Sequence, residues 1–140
     1  MSIVYWDTML FVYWFEGNAK YAERLNTIFS KMDARGDRFV SSAFSVGELL
    51  VGPQKLGDVE AVDRIRKGLR ELVEILPFTL QVADHYSAIR AKQNVSPADA
   101  IHLASAAEAK ADLFLTNDRK LVGKVIPGIQ FVAGLDVSLY

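Results

Sequence analysis

Ser96-Pro97-Ala98-Asp99-Ala100-Ile101-His102-Leu103-Ala104-Ser105-Ala106-Ala107, followed by Asp112-Leu113-Phe114-Leu115-Thr116-Asn117-Asp118, decides the architecture of this chain. Ser96 offers an N-cap hydroxyl, Pro97 takes the first helical position where a missing N–H costs nothing, and Asp99 falls three residues after the cap, beside the positive end of the helix. The helix begun there runs on through Ala109 on small side chains, so it can lie close against a sheet. The apolar run over 112–116 reads as a strand, and an acid stands just beyond its end. Such a helix leading into a short apolar strand is a unit of a layered α/β fold.

The same alternation extends outward in both directions. Ile3-Val4-Tyr5-Trp6 is a strand, and Asp7-Thr8 then opens a helix through Phe15. Asn18 is an N-cap candidate for a helix carrying Tyr21, Leu25, Ile28 and Phe29 at helical spacing, stopped by Arg35-Gly36. Arg38-Phe39-Val40-Ser41 reads as a second strand, and Ser42 caps a helix to about Val51 that Gly52-Pro53 is expected to close. An amphipathic helix over 58–72, a brief strand Glu74-Ile75-Leu76 ended by Pro77, and a helix over 82–93 follow. After Asp118 the pattern predicts a short helix to Leu121 and a last strand over 129–132. Strands this short and apolar must be covered on both faces. The expectation is a three-layer α/β/α sandwich with a short, mostly parallel central sheet, forming a single domain over residues 1–140.

Composition narrows the function classes. Hydrophobic residues make up 51% of the chain and charged residues 24%, which argues against disorder and leaves apolar surface for a partner. With no cysteine, zinc fingers and thiol catalysis are excluded. The apolar stretch over 3–15 is shorter than the roughly 20 residues a spanning helix needs and carries Asp7, so no membrane span is expected. There is no basic n-region of a secretory signal, and the cytoplasm is the expected location. A net charge of −1 gives no global attraction to nucleic acid, so any such binding must rest on a local basic patch or on a metal.

Four acids stand out against this background. Asp7 and Asp118 follow strands, where ligands collect in open α/β sheets. Asp99 begins one helix, and Glu48 lies inside another between Val46, Leu49 and Leu50. With right-handed crossovers the early turns of both helices face the same crevice. Each acid singly reads as a cap or a paired carboxylate, worth about 1 kcal/mol as a cap. Together they point to one shared cause. Clustered carboxylates repel and raise each other's pKa unless a hard cation such as Mg²⁺ or Mn²⁺ neutralises them. His102 lies one turn from Asp99 and is read as a packed or hydrogen-bonded side chain rather than a ligand. Thr8, Thr116 and Asn117 are candidates to orient the acids or a phosphate oxygen, and Arg119 and Lys120 adjoin Asp118 as phosphate candidates.

Tyr5-Trp6-Asp7-Thr8, Val46-Gly47-Glu48-Leu49-Leu50, Asp99-Ala100-Ile101-His102-Leu103-Ala104-Ser105-Ala106 and Leu115-Thr116-Asn117-Asp118, in that order, resemble the PIN-domain family, specifically the VapC-type toxin ribonucleases. The likeness spans nearly the whole chain. It implies metal-dependent hydrolysis of RNA phosphodiesters, with Asp7, Glu48, Asp99 and Asp118 as the catalytic, metal-binding acids and Mg²⁺ or Mn²⁺ as cofactor. It also implies a homodimer and a cognate antitoxin protein. Two other classes compete: a Mg²⁺-dependent phosphoryl-transfer domain, and a catalytically silent PIN-like binding module. A haloacid-dehalogenase-like enzyme needs a second Asp two residues after the first, and position 9 is Met9.

Overall fold

Five strands of three to five residues form one parallel sheet in the computed structural model, which describes residues 1–138. They are β1 (Ile3–Trp6), β2 (Arg38–Ser42), β3 (Glu74–Leu76), β4 (Leu113–Leu115) and β5 (Phe131–Ala133), in the order β3-β2-β1-β4-β5. Tyr5 pairs with Val40 on one side and Phe114 on the other, and every strand pair is parallel. All five strands therefore end at the same edge. From β1 the chain steps outward to β2 and β3, then returns to β4 on the far side of β1, so the strand order reverses between β1 and β4. That reversal opens a crevice at the strand ends.

Alternate side chains of the sheet face two helical layers. Val4, Trp6, Phe39, Leu113 and Leu115 pack against α1 (Thr8–Phe15), α2 (Ala22–Arg35) and α4 (Val59–Leu72) through Leu10, Phe11, Leu25, Ile28, Met32 and Leu69. Tyr5, Val40, Phe114 and Val132 face α5 (Leu80–Lys92) and α6 (Pro97–Glu108) through Val82, Ile89, Ala100, Leu103 and Ala107. The expected α/β/α sandwich is thus present, its sheet parallel throughout. Burial on both faces is why the central strands β1 and β4 are continuously apolar instead of alternating. On the first face an aromatic cluster fills the core, with Trp6 centred 4.6 Å from Phe39 and 5.5 Å from Phe11. Each such side chain contributes about 2–3 kcal/mol by leaving water. The remaining helix, α3 (Ala43–Lys55), leans Val46 and Leu49 on the same cluster and touches α6 at its other flank.

Local chemistry explains most helix boundaries and several departures from expectation. Ser42, Asp58, Thr79 and Ser96 cap α3, α4, α5 and α6, each side chain accepting a backbone N–H three residues on. Asn18 instead accepts from Lys20 N and Tyr21 N, making a tight turn before α2 while Tyr21 holds the cap position. Gly52-Pro53 does not close α3, which runs on to Lys55 with Pro53 inside its last turn. Pro53 has no N–H to bond Leu49 O, so one rung of the ladder is missing there, while the helix carries on until Leu56 N reaches Gly52 O at 3.2 Å. After Asp118 there are turns, not a helix, and the last strand lies at 131–133. Gly36 ends α2 in the left-handed conformation with φ 71°. Gly128 has φ 97°, and a Cβ there would stand 2.9 Å from Ala107 O, so the loop lies on α6 only because this position is bare. No helix among the described residues is long and apolar enough to cross a membrane.

Candidate active site

The end of β1 is tied to the end of β4 through a backbone hydrogen bond and one threonine. Asp7 N donates to Leu115 O at 3.0 Å, which carries the pairing one residue past the strands. The Asp7 carboxylate is then fixed at both oxygens, Oδ1 accepting from Thr8 N at 2.9 Å and Oδ2 from the Thr116 hydroxyl at 2.8 Å. The same Thr116 oxygen accepts from Asp118 N at 3.0 Å. One fully buried hydroxyl thereby sets the spacing of two acids that are 111 positions apart in sequence. Asp118 Oδ1 accepts from Lys120 N at 2.9 Å, which turns the chain immediately and replaces the expected helix. Asp7 is also the N-cap of α1. Capping and lining the crevice are here done by one side chain.

Glu48 is held from the opposite layer. Its Oε1 accepts from the Thr8 hydroxyl at 2.6 Å and lies 2.7 Å from His102 Nε2. On the other side of the imidazole, Nδ1 lies 2.7 Å from the Tyr5 hydroxyl. Burial pushes the Tyr5 hydroxyl well above its usual pKa, despite the Ser42, Ser45 and Ser41 hydroxyls that lower it. The Tyr5 hydroxyl keeps its proton, and the imidazole stands between it and Glu48, with Nδ1 towards the tyrosine and Nε2 towards the carboxylate. Burial raises the Glu48 pKa, but hydrogen bonds from His102 and Thr8 outweigh it and leave the carboxyl below its ordinary value. His102 is 2% exposed, so this Tyr5–His102–Glu48 line runs from the core of the sheet to the crevice.

Asp7, Glu48, Asp99 and Asp118 line a single cavity of about 510 Å³ at the β1/β4 crevice, together with Thr8, Tyr13, His102 and Asn117. No Lys or Arg is among the lining residues. The Asp99 carboxyl is raised above its ordinary pKa by burial first, with Ser96 opposing, and then by the charges of Asp7 and Asp118. The acids are thus close enough to feel one another. Among the described residues, however, no three His, Asp or Glu side chains are already gathered in a grip on a metal ion. The donor set, all carboxylate oxygen in a cation-free crevice, suits a hard divalent cation such as Mg²⁺ or Mn²⁺ and no soft one.

The remaining sequence candidates distribute around this cavity. Thr8 and Thr116 are buried and bond Glu48 and Asp7 respectively, while Asn117 Nδ2 donates to the Tyr13 hydroxyl at 3.3 Å. Arg119 lines a neighbouring hollow and not the acidic one. Lys120 lies beside Asp99 and Asp118 on another flank. Arg66, Lys67 and Arg70 sit apart, around a shallow surface hollow with Asp63 and Glu71. His85 meets Glu108 at 2.9 Å on the surface. The sequence offered no sign that Tyr5 or Ser45 would reach the site, while Tyr13, read as a core or interface aromatic with base stacking as the other option, lines the cavity. Their neighbours there come from distant segments, and an alternating strand pattern places Tyr5 in the core without naming its partner.

Comparison with known proteins agrees with this arrangement. The family model described as PIN domain matches residues 4–124. A chain of the VapBC2 complex from Rickettsia felis, solved bound to promoter DNA, superposes with a TM-score of 0.75 at 20% identity, covering 94% of this chain and 98% of that one. DNA-bound VapBC from Salmonella typhimurium gives 0.74 at 23% identity, covering 96% and 99%. VapBC-1 from nontypeable Haemophilus influenzae gives 0.65 at 21%, covering 84% and 88%. No curated protein matches the sequence significantly. With the family match spanning both the β1 and the β4 acids, and a parallel sheet whose order reverses between them, this chain belongs to the PIN-domain family.

Proposed function

We propose that this protein is a metal-dependent endoribonuclease, the toxin of a type II toxin–antitoxin pair, hydrolysing RNA phosphodiester bonds in the acidic crevice. The observation that carries the reading is the meeting of Asp7, Glu48, Asp99 and Asp118 on one cavity that no Lys or Arg lines. Such a set is costly to a fold unless a cation completes it. The four acids would hold Mg²⁺ or Mn²⁺, which when bound lowers the pKa of water and offsets charge developing on the leaving oxygen.

The chain's own groups supply position. Thr116 locks Asp7 against Asp118, while Thr8 and His102 keep Glu48 ionised and fixed in rotamer. Asn117 and Tyr13 form a polar wall beside the acids. No side-chain nucleophile is required.

A cognate antitoxin is proposed as partner on the strength of the structural neighbours, which are VapBC complexes. A homodimer is proposed on the exposed apolar side chains Met9 and Phe15 of α1 and Val51 and Leu56 at the end of α3. Light scattering at micromolar concentration should give twice the chain mass, and a monomer contradicts the dimer.

The second reading, a silent binding module, is favoured by one fact: among the described residues, no three acids are already drawn together as a metal grip. Incubation of the pure protein with defined RNAs, with Mg²⁺ or Mn²⁺ and with EDTA, followed by end mapping, separates the two. Internal cleavage that EDTA abolishes supports the nuclease. Intact RNA with both metals, or equal cleavage in EDTA, overturns it.

A further inference from the structure

A second hollow adjoins the acidic cavity and shares Asn117 with it. It measures about 430 Å³ and is lined by Lys20, Tyr21, Thr116, Arg119 and Asp136, among others. Its chemistry reverses that of its neighbour, with Lys20 and Arg119 outnumbering the one acid, Asp136. The partition between the hollows is aromatic. Tyr13, on the acidic side, and Tyr21, on the basic side, have ring centroids 4.8 Å apart, and Asn117 donates to the Tyr13 hydroxyl.

Sequence explains how this surface is built. The Asn18 side chain accepts from both Lys20 N and Tyr21 N, at 2.9 and 3.1 Å, and the resulting turn presents the two side chains together. Lys20 Nζ stands 5.3 Å from the centre of the Tyr21 ring. Hydrogen bonds from Asn117 and then Lys20 hold the Tyr21 hydroxyl below its ordinary pKa against the effect of burial, and the charges of Lys20 and Arg119 act in the same direction. Arg119 reaches the hollow because Asp118 turns the chain instead of starting a helix.

A phosphodiester strand cannot lie wholly over acids. The nucleotides on either side of the reacting bond need cations for their phosphates and flat surfaces for their bases. We propose that the Lys20, Tyr21 and Arg119 hollow is an RNA subsite for the nucleotide next to the phosphodiester presented to the acids. Tyr21 packs on its base, and Lys20 and Arg119 engage its phosphate. The subsite takes its substrate class, RNA, from the nuclease reading above. It fixes the direction in which a single strand crosses the crevice, with the Tyr13 and Tyr21 pair as the step between positions.

The test is binding of a fluorescein-labelled 12-nucleotide single-stranded RNA to the full chain in EDTA, where the proposed cleavage is silent, across a salt series. The double variant Lys20→Ala/Arg119→Ala should weaken binding about tenfold or more and flatten the log Kd against log salt slope by about 0.7, the value for one phosphate on a single strand. Tyr21→Ala should weaken it about tenfold with the salt slope unchanged, and Tyr21→Phe should retain wild-type affinity. Lys67→Ala/Arg70→Ala, on the separate hollow of α4, is the charge-matched control and should bind as wild type. Melting temperatures confirm that each variant is folded. Wild-type affinity and slope in the Lys20 and Arg119 variant, or no binding of RNA by the wild type, overturns the subsite. Weakened binding by these variants in a protein that cleaves nothing with Mn²⁺ keeps the subsite and removes the nuclease.

Discussion

His102 Nε2 lies 2.7 Å from Glu48 Oε1, and the imidazole that makes this contact is itself pinned by the Tyr5 hydroxyl from inside the sheet. The orientation of a crevice acid is therefore set by a side chain of the central strand. His102→Ala leaves the Tyr5 hydroxyl buried without its imidazole partner and leaves Glu48 with the Thr8 hydroxyl as its remaining donor, which costs about 1–3 kcal/mol. A urea midpoint in EDTA reads this loss. His102→Gln can return a donor to Glu48, so it should recover more of the RNA cleavage than of the stability. Equal cleavage by His102→Ala and wild type would show that Glu48 needs no positioning.

Thr116→Val keeps the volume of a fully buried side chain but removes the hydroxyl between Asp7 Oδ2 and Asp118 N. The part-buried Asp118 N–H then lacks this acceptor, and the Asp7 carboxylate is left with its hydrogen bond from Thr8 N. The expected result is a loss of about 1–3 kcal/mol and a fall in cleavage well beyond what the stability change produces. Cleavage measured below the melting transition separates the two effects. Unchanged activity would mean that the spacing of Asp7 and Asp118 does not matter.

Asp99 predicts a pH dependence of known sign. Its folded-state pKa is raised above the ordinary 3.8, by burial first and then by Asp7 and Asp118. Between 3.8 and the raised value the native state binds more protons than the unfolded state, so this group makes stability fall as pH rises through that window. Asp99→Asn removes the effect. In EDTA the variant should therefore be more stable than wild type at neutral pH, and its advantage should shrink as pH falls towards 3.8. Melting curves over that range decide it, and an advantage that grows on acidification contradicts the raised pKa.

Much of the fold is legible in the sequence because its signals are local. Ser42, Asp58 and Ser96 announce helices within a few residues, and the apolar runs at Ile3–Trp6 and Leu113–Leu115 announce strands. The departures arise where local signals have two outcomes. Asn18 satisfies two backbone N–H groups in a turn just as it could have capped a helix, and Asp118 does the same with Lys120 N. Pro53 removes one rung of the α3 ladder without itself marking where the helix ends. The site divides in the same way. Acids after strands can be placed at one sheet edge from topology alone, but the contact of His102 with Glu48 spans 54 positions and that of His102 with Tyr5 spans 97. No periodicity reports a partner at that distance. Likewise Arg119, read beside Asp118, proves to face away from the acids into the hollow of Lys20 and Tyr21.

The most direct measurement is RNA cleavage and melting temperature, with and without Mn²⁺, for wild type and for Asp7→Asn, Glu48→Gln, Asp99→Asn and Asp118→Asn. If the four acids act as one cation-holding site, each variant nearly eliminates cleavage and reduces the rise in melting temperature that Mn²⁺ gives the wild type, since that rise follows RT ln(1 + [L]/Kd). Two or more variants that cleave as wild type does, or a wild type whose melting temperature Mn²⁺ does not raise, would contradict the shared site.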